Sequence, residues 1–248
     1  MRGWYSGCAL AFQASKTSSI LVPRSKINLF LYMDIYEIPG WMTHQDLNIL
    51  TELAKHVPKN GSILEIGCFL GRSTTALYNG KDSSVSLEVI DPFEDICSWS
   101  GFKEIPSFTK ANCSGSETLY NIAIHIAQRK NWLESFRFCI GDTIYNKLDV
   151  YRGTSKNHII EKEYDFVFID GSHSHEDVKH DIVKYSSDTT LIVGDDFINT
   201  HPGVSQAINE SRNYRTLVVF NESKLWVLIP RLGYWSDMFK NSDLSLLL

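Results

Sequence analysis

The sequence predicts an α/β protein with a Rossmann-like, doubly wound sheet of seven strands, mostly parallel with an antiparallel C-terminal hairpin. Short apolar segments alternate with helical periodicity from residue 43 onward, an order that places helices on both faces of a parallel sheet. Residues 166–169 and 191–193 are entirely apolar, as strands buried on both faces are. Residues 221–223, which join the last two strands, are too few for a parallel crossover, so those strands pair antiparallel.

The elements follow one another regularly. Thr43 caps the first helix, Asp46 stands three residues later as in a capping box, and Pro58 ends the apolar periodicity. The predicted strands are residues 62–67, 85–90, 136–140, 164–169, 189–193, 215–220 and 224–229, and the further helices are residues 72–78, 117–130, 176–185 and 203–213. No internal repeat or second core is visible, so residues 33–248 are predicted to form one domain.

Acidic residues stand at the ends of five successive predicted strands. They are Glu65, Asp91, Asp142, Asp170 and the pair Asp195 and Asp196. In open α/β sheets, ligands bind beyond the carboxyl ends of the strands. A single acid there is usually a turn former or a helix cap, but acids at all five strand ends indicate a site.

The loop after the first strand reads E-x-G-x-x-x-G from Glu65 to Gly71. Gly67 allows a tight turn and the close approach of a ligand to the backbone. A dinucleotide site usually has G-x-G-x-x-G, which this loop lacks. The acid Glu65 in the loop suits a ligand that has a positive amino group and no phosphate. Asp91 lies 20 residues after Gly71, where it can accept ribose hydroxyls, and Asp142 is placed to meet an adenine amino group.

Three motifs follow one another along the chain: L-E-I-G-x-x-x-G-R-S-T at 64–74, F-I-D-G-x-H-x-x-E at 168–176, and G-D-D-F at 194–197 followed by P-G-V at 202–204. Together they resemble those of class I S-adenosylmethionine-dependent methyltransferases. More narrowly, they resemble the macrocin-type small-molecule and sugar O-methyltransferases, over about residues 38–229. The resemblance implies a seven-stranded sheet, S-adenosylmethionine as cofactor, and a small hydroxylated acceptor such as a sugar.

The resemblance also implies which residues bind the cofactor. Glu65 and Gly67 would meet its methionine part, Asp91 its ribose, and Asp142 with Thr143 its adenine. The full set implied is Glu65, Gly67, Phe69, Gly71, Ser73, Asp91, Asp142, Thr143 and Asp170.

A divalent metal, expected to be magnesium, is implied by the metal-dependent branch of these enzymes. That branch uses one acid after strand four and an acid pair after strand five, positions that match Asp170, Asp195 and Asp196. Magnesium prefers oxygen ligands and usually keeps several waters, and a bound cation lowers the pKa of an acceptor hydroxyl. Alternatively, Asp195 and Asp196 form a turn and a helix cap.

Asp170 and His173 are the predicted catalytic residues. His173 is a general base, a residue that orients another side chain of the site from behind it, or a helix-capping neighbour. Two other functions stay open. His173, His175 and Asp177 fit H-x-H-x-D, part of a zinc hydrolase motif, although Val178 replaces the histidine that follows it there. The chain could also be an inactive module that binds S-adenosylmethionine.

Charge and composition bear on location and partners. The net charge is −5, which argues against a nucleic-acid partner. The sequence has no apolar run that approaches 18 residues, so no membrane span is predicted. Residues 1–32 contain four basic residues and no acidic one. They are interpreted as a poorly ordered extension or translated upstream sequence before Met33, in a cytoplasmic protein, or as an organelle transit peptide.

Three further expectations concern cysteines, a lid and self-association. The five cysteines contain no C-x-x-C pair, which is typical of a reducing compartment rather than a disulfide framework. Residues 93–116 and 38–41 are expected to cover the acceptor, with Trp99, Phe102 and Phe108 stacking on its ring or anchoring the loop. The apolar residues 244–248 are a candidate contact in a homo-oligomer.

Overall fold

The computed structural model describes residues 35–38, 40–93 and 132–241. The predicted N-terminal extension, the insertion after Phe93, the helix at 117–130 and the apolar tail lie outside these residues. The helices are α1 His44–Lys55, α2 Arg72–Gly80, α3 Trp132–Ile140, α4 Asp142–Tyr145, α5 His175–Tyr185, α6 Pro202–Ser211 and α7 Gly233–Asn241, with a 3-10 turn at Ile35–Glu37. The strands are β1 Ser62–Ile66, β2 Ser86–Asp91, β3 Asp149–Arg152, β4 Phe166–Ile169, β5 Leu191–Gly194, β6 Thr216–Val219 and β7 Trp226–Ile229.

The described strands form one seven-stranded sheet in the order β3-β2-β1-β4-β5-β7-β6. Strands β1 to β5 pair in parallel, whereas β7 pairs antiparallel with both β5 and β6. The predicted fold class is therefore confirmed, including the antiparallel C-terminal hairpin. The strand order reverses between β1 and β4, and in such sheets ligands bind beyond the strand ends at this point.

Alternate residues of each central strand face opposite sides of the sheet. Phe166 and Phe168 pack with residues of α1, α2 and α7, whereas Val167 and Ile169 pack with residues of α5 and α6. All four are buried, so helices cover both faces, as the apolar segment predicted. In the described ranges, no helix has the length and apolar character needed to cross a membrane.

Helix α1 begins as predicted. The Thr43 hydroxyl accepts a hydrogen bond from the Asp46 amide, and the Asp46 carboxylate accepts one from the Thr43 amide at 2.8 Å. This capping box satisfies amides that the first helical turn leaves free. The other Asp46 oxygen, Oδ1, accepts hydrogen bonds from the Ser223 hydroxyl at 2.6 Å and the Lys224 amide at 3.4 Å, so α1 is also joined to the β6–β7 turn.

The predicted strand at 136–140 is wrong, because these residues belong to α3. Its buried residues recur at the three- and four-residue spacing of a helix face: Trp132, Ser135, Phe136, Cys139 and Ile140. The third strand is instead β3, a partly exposed edge strand beside β2. Helix α7 was not predicted.

Candidate functional site

The loop after β1, residues 67–71, turns sharply at the carboxyl end of the sheet, and we call it the glycine loop. Gly67, Phe69 and Gly71 have φ angles of 83°, 48° and 90°, in the left-handed region that favours glycine. Gly67 donates its amide to the Ile90 carbonyl at 2.8 Å. The loop therefore begins against the end of β2 and leads directly into α2.

Both glycines are required by close packing within the protein. A β-carbon at Gly67 would lie 2.4 Å from the carbonyl oxygen of Asp170, and one at Gly71 would lie 2.2 Å from the Ile140 side chain. The contact of Gly67 with Asp170 brings the ends of β1 and β4 together, and the contact of Gly71 with Ile140 packs α3 against the loop. The glycines thus let three elements meet at the strand ends.

Glu65 is buried in β1, directly before the loop. Its Oε1 accepts a hydrogen bond of 2.5 Å from the Ser73 hydroxyl of α2, whereas its Oε2 is buried without a hydrogen-bond partner among the described residues. Burial raises the pKa of Glu65 to about 7, against the opposing hydrogen bond of Ser73. Buried acceptors are normally paired with a hydrogen-bond donor, and a ligand ammonium group would supply one to Oε2.

Asp91 fastens the glycine loop to the end of β2. Its Oδ2 accepts from the amides of Cys68 at 3.0 Å and Phe69 at 3.4 Å, and its Oδ1 accepts from the Phe93 amide at 2.8 Å. Burial raises the pKa of Asp91, and these backbone hydrogen bonds oppose the shift. Since a carboxylate has about four lone-pair sites, little acceptor capacity is left. Its contact with a ribose stays a prediction.

The described part of the expected lid lies on the glycine loop. The Arg72 guanidinium donates to the Gly40 carbonyl at 2.9 Å. The centroid of the Trp41 ring lies 4.7 Å from that of the Phe69 ring. The Phe69 and Trp132 ring centroids are 5.1 Å apart. These rings form an aromatic group beside the loop, suited to packing against a flat ligand ring.

Three acids meet at the ends of β4 and β5, and we call Asp170, Asp195 and Asp196 the acid cluster. One carboxylate oxygen of each lies within 4.8 Å of the others. The parallel register, which pairs Ile169 with Gly194, places the residues after the two strands side by side. Burial raises the pKa of Asp170, and the charges of Asp195 and Asp196 add to the shift.

The Lys224 ammonium group lies between two of these acids. Its Nζ is 2.8 Å from Oδ2 of Asp195 and 3.1 Å from Oδ1 of Asp196. Burial opposes the charged form of this lysine, yet Asp195 and Asp196 together raise the pKa of Lys224 above its usual value. Burial raises the pKa of Asp195 although the lysine opposes it, and Oδ1 of Asp195 is buried without a hydrogen-bond partner in the described residues.

His173 lies on the open side of the acid cluster. Its Nε2 is 2.8 Å from Oδ2 of Asp196, and its side chain is 40% exposed. The ring of His201 lies 4.4 Å from that of His173. Although burial opposes the shift, the His173 hydrogen bond and the Lys224 charge hold the pKa of Asp196 at about 2. Asp196 is therefore a stable anion that fixes one nitrogen of an accessible imidazole.

The zinc hydrolase motif does not assemble. His175 bonds to Glu210 at 2.9 Å, and Asp177 pairs with Lys156 at 2.5 Å. Within the described residues, the groups able to hold a metal join His173 to Asp196 and His201, not to His175 or Asp177.

The structure thus brings most predicted site residues to one edge of the sheet. Glu65, the glycine loop and Ser73 form one part, and the acid cluster with His173 forms the other. The two parts touch where Gly67 meets the Asp170 backbone. Asp142, predicted at a strand end, lies instead in the first turn of α4, exposed and paired with Arg137 at 2.6 Å; Thr143 follows it there. Their contact with adenine stays a prediction.

Residues 64–197 match the sequence model of a family described as a methyltransferase domain. The chain belongs to this family. The match covers Glu65 in β1, Asp91 in β2, and the acid cluster that follows β4 and β5. The protein is accordingly a class I S-adenosylmethionine-dependent methyltransferase.

Solved structures similar to this chain include the following three, of which the first supports the fold. A protein from Corynebacterium glutamicum is 15% identical and aligns over 79% of this chain and 84% of its own, with a TM-score of 0.51. A cofactor-bound protein from MTB is 13% identical over 80% and 85% of the two chains, with a TM-score of 0.47. An O-methyltransferase from Bacillus cereus in complex with SAH is 17% identical over 77% and 84%, with a TM-score of 0.42. No curated protein gives a significant match.

Proposed function

We propose that this methyltransferase transfers its methyl group to a hydroxyl oxygen of a small hydroxylated acceptor, with a sugar as the first candidate. The observation that carries the proposal is the 2.8 Å contact between His173 Nε2 and the Asp196 carboxylate at the strand ends. It is the arrangement of an oriented general base, which a hydroxyl nucleophile needs. The macrocin-type resemblance of the sequence supports the acceptor class.

The residues at the glycine loop fit the cofactor. Glu65 Oε2, which has no hydrogen-bond partner among the described residues, is an acceptor for an amino group, and the left-handed glycines let a ligand approach the backbone. Bound S-adenosylmethionine supplies a methyl group on a positively charged sulfur, ready for in-line displacement. We assign Glu65 to its amino group and Gly67, Phe69, Gly71 and Ser73 to the loop around it, while Asp91 holds that loop in shape.

His173 takes the proton. With Nε2–H donated to Asp196, the imidazole has its free lone pair on Nδ1, the tautomer that a base requires. As the acceptor oxygen bonds to the methyl carbon and the carbon–sulfur bond breaks, the hydroxyl proton passes to Nδ1. Asp196, ionised at any pH well above 2, then stabilises the imidazolium. We assign Asp170, beside the glycine loop, to orient the acceptor hydroxyl.

The resemblance also implies a divalent ion in the acid cluster. The three carboxylates are the ligands that such an ion prefers, but they do not fit one as they stand. Both Asp196 oxygens are engaged, by Lys224 and by His173, and one Asp195 oxygen is engaged by Lys224. An ion bound by all three acids would have to displace either the ammonium group or the His173 imidazole from Asp196, so no step of the proposal uses a metal.

The experiment has two stages. Titration of the full chain with S-adenosylhomocysteine measures cofactor binding, and methyl transfer from labelled S-adenosylmethionine is then measured against a panel of sugars, catechols and amines. Transfer to hydroxyl compounds and not to amines supports the proposal. Transfer only to amines contradicts it. Binding without transfer across the panel would favour the alternative of an inactive binding module.

A further inference from the structure

We infer that Lys224 is the resident cation of the acid cluster, taking the place that a divalent ion holds in the metal-dependent branch of these enzymes. The methyl transfer is then independent of a divalent metal. The part of this inference that concerns catalysis rests on the proposed function; the part that concerns ion binding does not.

The backbone of Lys224 is held on both sides, which fixes the position from which its side chain reaches the acids. Its carbonyl accepts the Phe197 amide at 2.9 Å. Its own amide and the neighbouring Ser223 hydroxyl donate to Oδ1 of Asp46. Lys224 is therefore anchored to the turn after β5 and to the capping box of α1, and its place at the cluster is built into the fold.

The Lys224 ammonium group balances the charge of the buried acids here. The side chains of Asp195 and Asp196 are 3% and 10% exposed, and that of Lys224 is 22% exposed. Buried carboxylates are costly unless they are paired and hydrogen-bonded. The ammonium group pairs with both at once, and removal of one partner from such a buried arrangement leaves an uncompensated charge.

An ammonium group and a divalent ion constrain the reaction differently. Lysine offers three N–H donors, of which two go to Asp195 and Asp196, and it offers no exchangeable coordination position for an acceptor hydroxyl. The acceptor is then oriented by hydrogen bonds to groups such as Asp170, and its proton is taken by His173 without help from a metal.

Ion binding by the full-length protein tests the inference directly, with Mn²⁺ as the probe and its EPR signal as the readout. The variants are Lys224→Met, which keeps an apolar stem, and Lys179→Met as a matched control, since Lys179 pairs with Glu210 on the surface. The wild type and Lys179→Met should show no binding that depends on Asp195 up to about 1 mM, a concentration that corresponds to very weak affinity. Lys224→Met should bind at least about tenfold more tightly, and adding Asp195→Asn should remove that gain.

Wild-type binding of Mn²⁺ at micromolar concentration that disappears in Asp195→Asn would overturn the inference, because the lysine would then yield to the metal. Lys224→Met that folds, by circular dichroism, but gains no Mn²⁺ affinity would also contradict it. If Lys224→Met does not fold, Lys224→Arg retains the charge and should behave like the wild type, which leaves the wild-type titration decisive. Neither ion-binding result depends on finding the acceptor. A failed methyl-transfer assay with normal S-adenosylhomocysteine binding therefore counts against the proposed function alone.

Discussion

The Ser73 hydroxyl donates to Oε1 of Glu65 at 2.5 Å, while the second oxygen of the same buried carboxylate has no partner in the described residues. One oxygen is thus used to join β1 to α2, and the other remains available at the strand end. Burial raises the pKa of this carboxyl to about 7. A ligand ammonium group beside it would favour the ionised form and lower the pKa again.

Cofactor binding should therefore release a proton from Glu65. At pH 6 the unliganded carboxyl is mostly protonated, so binding of S-adenosylhomocysteine should release close to one proton, and at pH 8.5 almost none. Calorimetric titrations in buffers of different ionisation enthalpy measure this number. Glu65→Gln is the control, because this variant has no titratable side chain at position 65 that could release a proton when S-adenosylhomocysteine binds. If the wild type and Glu65→Gln release equal numbers of protons at pH 6, Glu65 does not meet the amino group.

Gly67→Ala should destabilise the fold strongly. The new methyl group would meet the Asp170 carbonyl oxygen at 2.4 Å, at a φ of +83°, and the left-handed conformation alone costs about 1–2 kcal/mol. We expect a loss of at least about 2 kcal/mol in urea unfolding. Gly171→Ala is the matched control across the same contact, since its methyl group would have neighbours only at 3.6 Å and beyond. Equal stability of the two variants would show that the strand ends can separate without cost.

The sequence predicted the sheet from its apolar strands, but it misplaced the third one. Residues 136–140 read as a strand because a short apolar run before Gly141 and Asp142 fits either element. Helical periodicity appears only when Trp132 and Ser135 are included. Strand β3 lies at the edge and contains Asp149 and Arg152, so it gives no apolar signal. Local patterns identify buried strands better than edge strands.

Lys224 was missed for a different reason. The sequence predicts the hairpin of β6 and β7, but no local pattern in it indicates the register between β7 and β5. The structure pairs Gly194 with Trp226 antiparallel, so two steps further along the same register Asp196 stands opposite Lys224. This pairing is a long-range property, and no local motif includes both residues. The acid cluster, by contrast, was predictable from acids at adjacent strand ends.

His173→Gln should lower kcat by about 10²–10⁴-fold, the usual contribution of a general base. The affinity for S-adenosylhomocysteine should stay unchanged, because the imidazole meets Asp196 and not the glycine loop. His175→Gln is the matched control, two residues away and paired with Glu210, and it should retain wild-type kcat. Steady-state rates with a hydroxyl acceptor measure the effect. An unchanged kcat in His173→Gln would remove this residue from the reaction.

Asp46 should affect both stability and catalysis, because its two oxygens serve different elements. Thr43→Ala removes only the helix cap, which should cost about 1 kcal/mol of stability and leave kcat unchanged. Asp46→Ala also removes the acceptor for the Ser223 hydroxyl and the Lys224 amide. Because both donors then lack a partner, the loss in the free energy of unfolding should rise to about 2–4 kcal/mol. Since the β6–β7 turn then loses two of its hydrogen bonds to α1 and keeps the one from Gln45 to the Asn221 carbonyl, the Lys224 ammonium group is held less firmly against Asp195, and kcat should fall. Urea unfolding and rates measured where both variants are fully folded separate the two effects. If Asp46→Ala retains the kcat of Thr43→Ala, the contacts of Phe197 and Gln45 suffice to position the lysine.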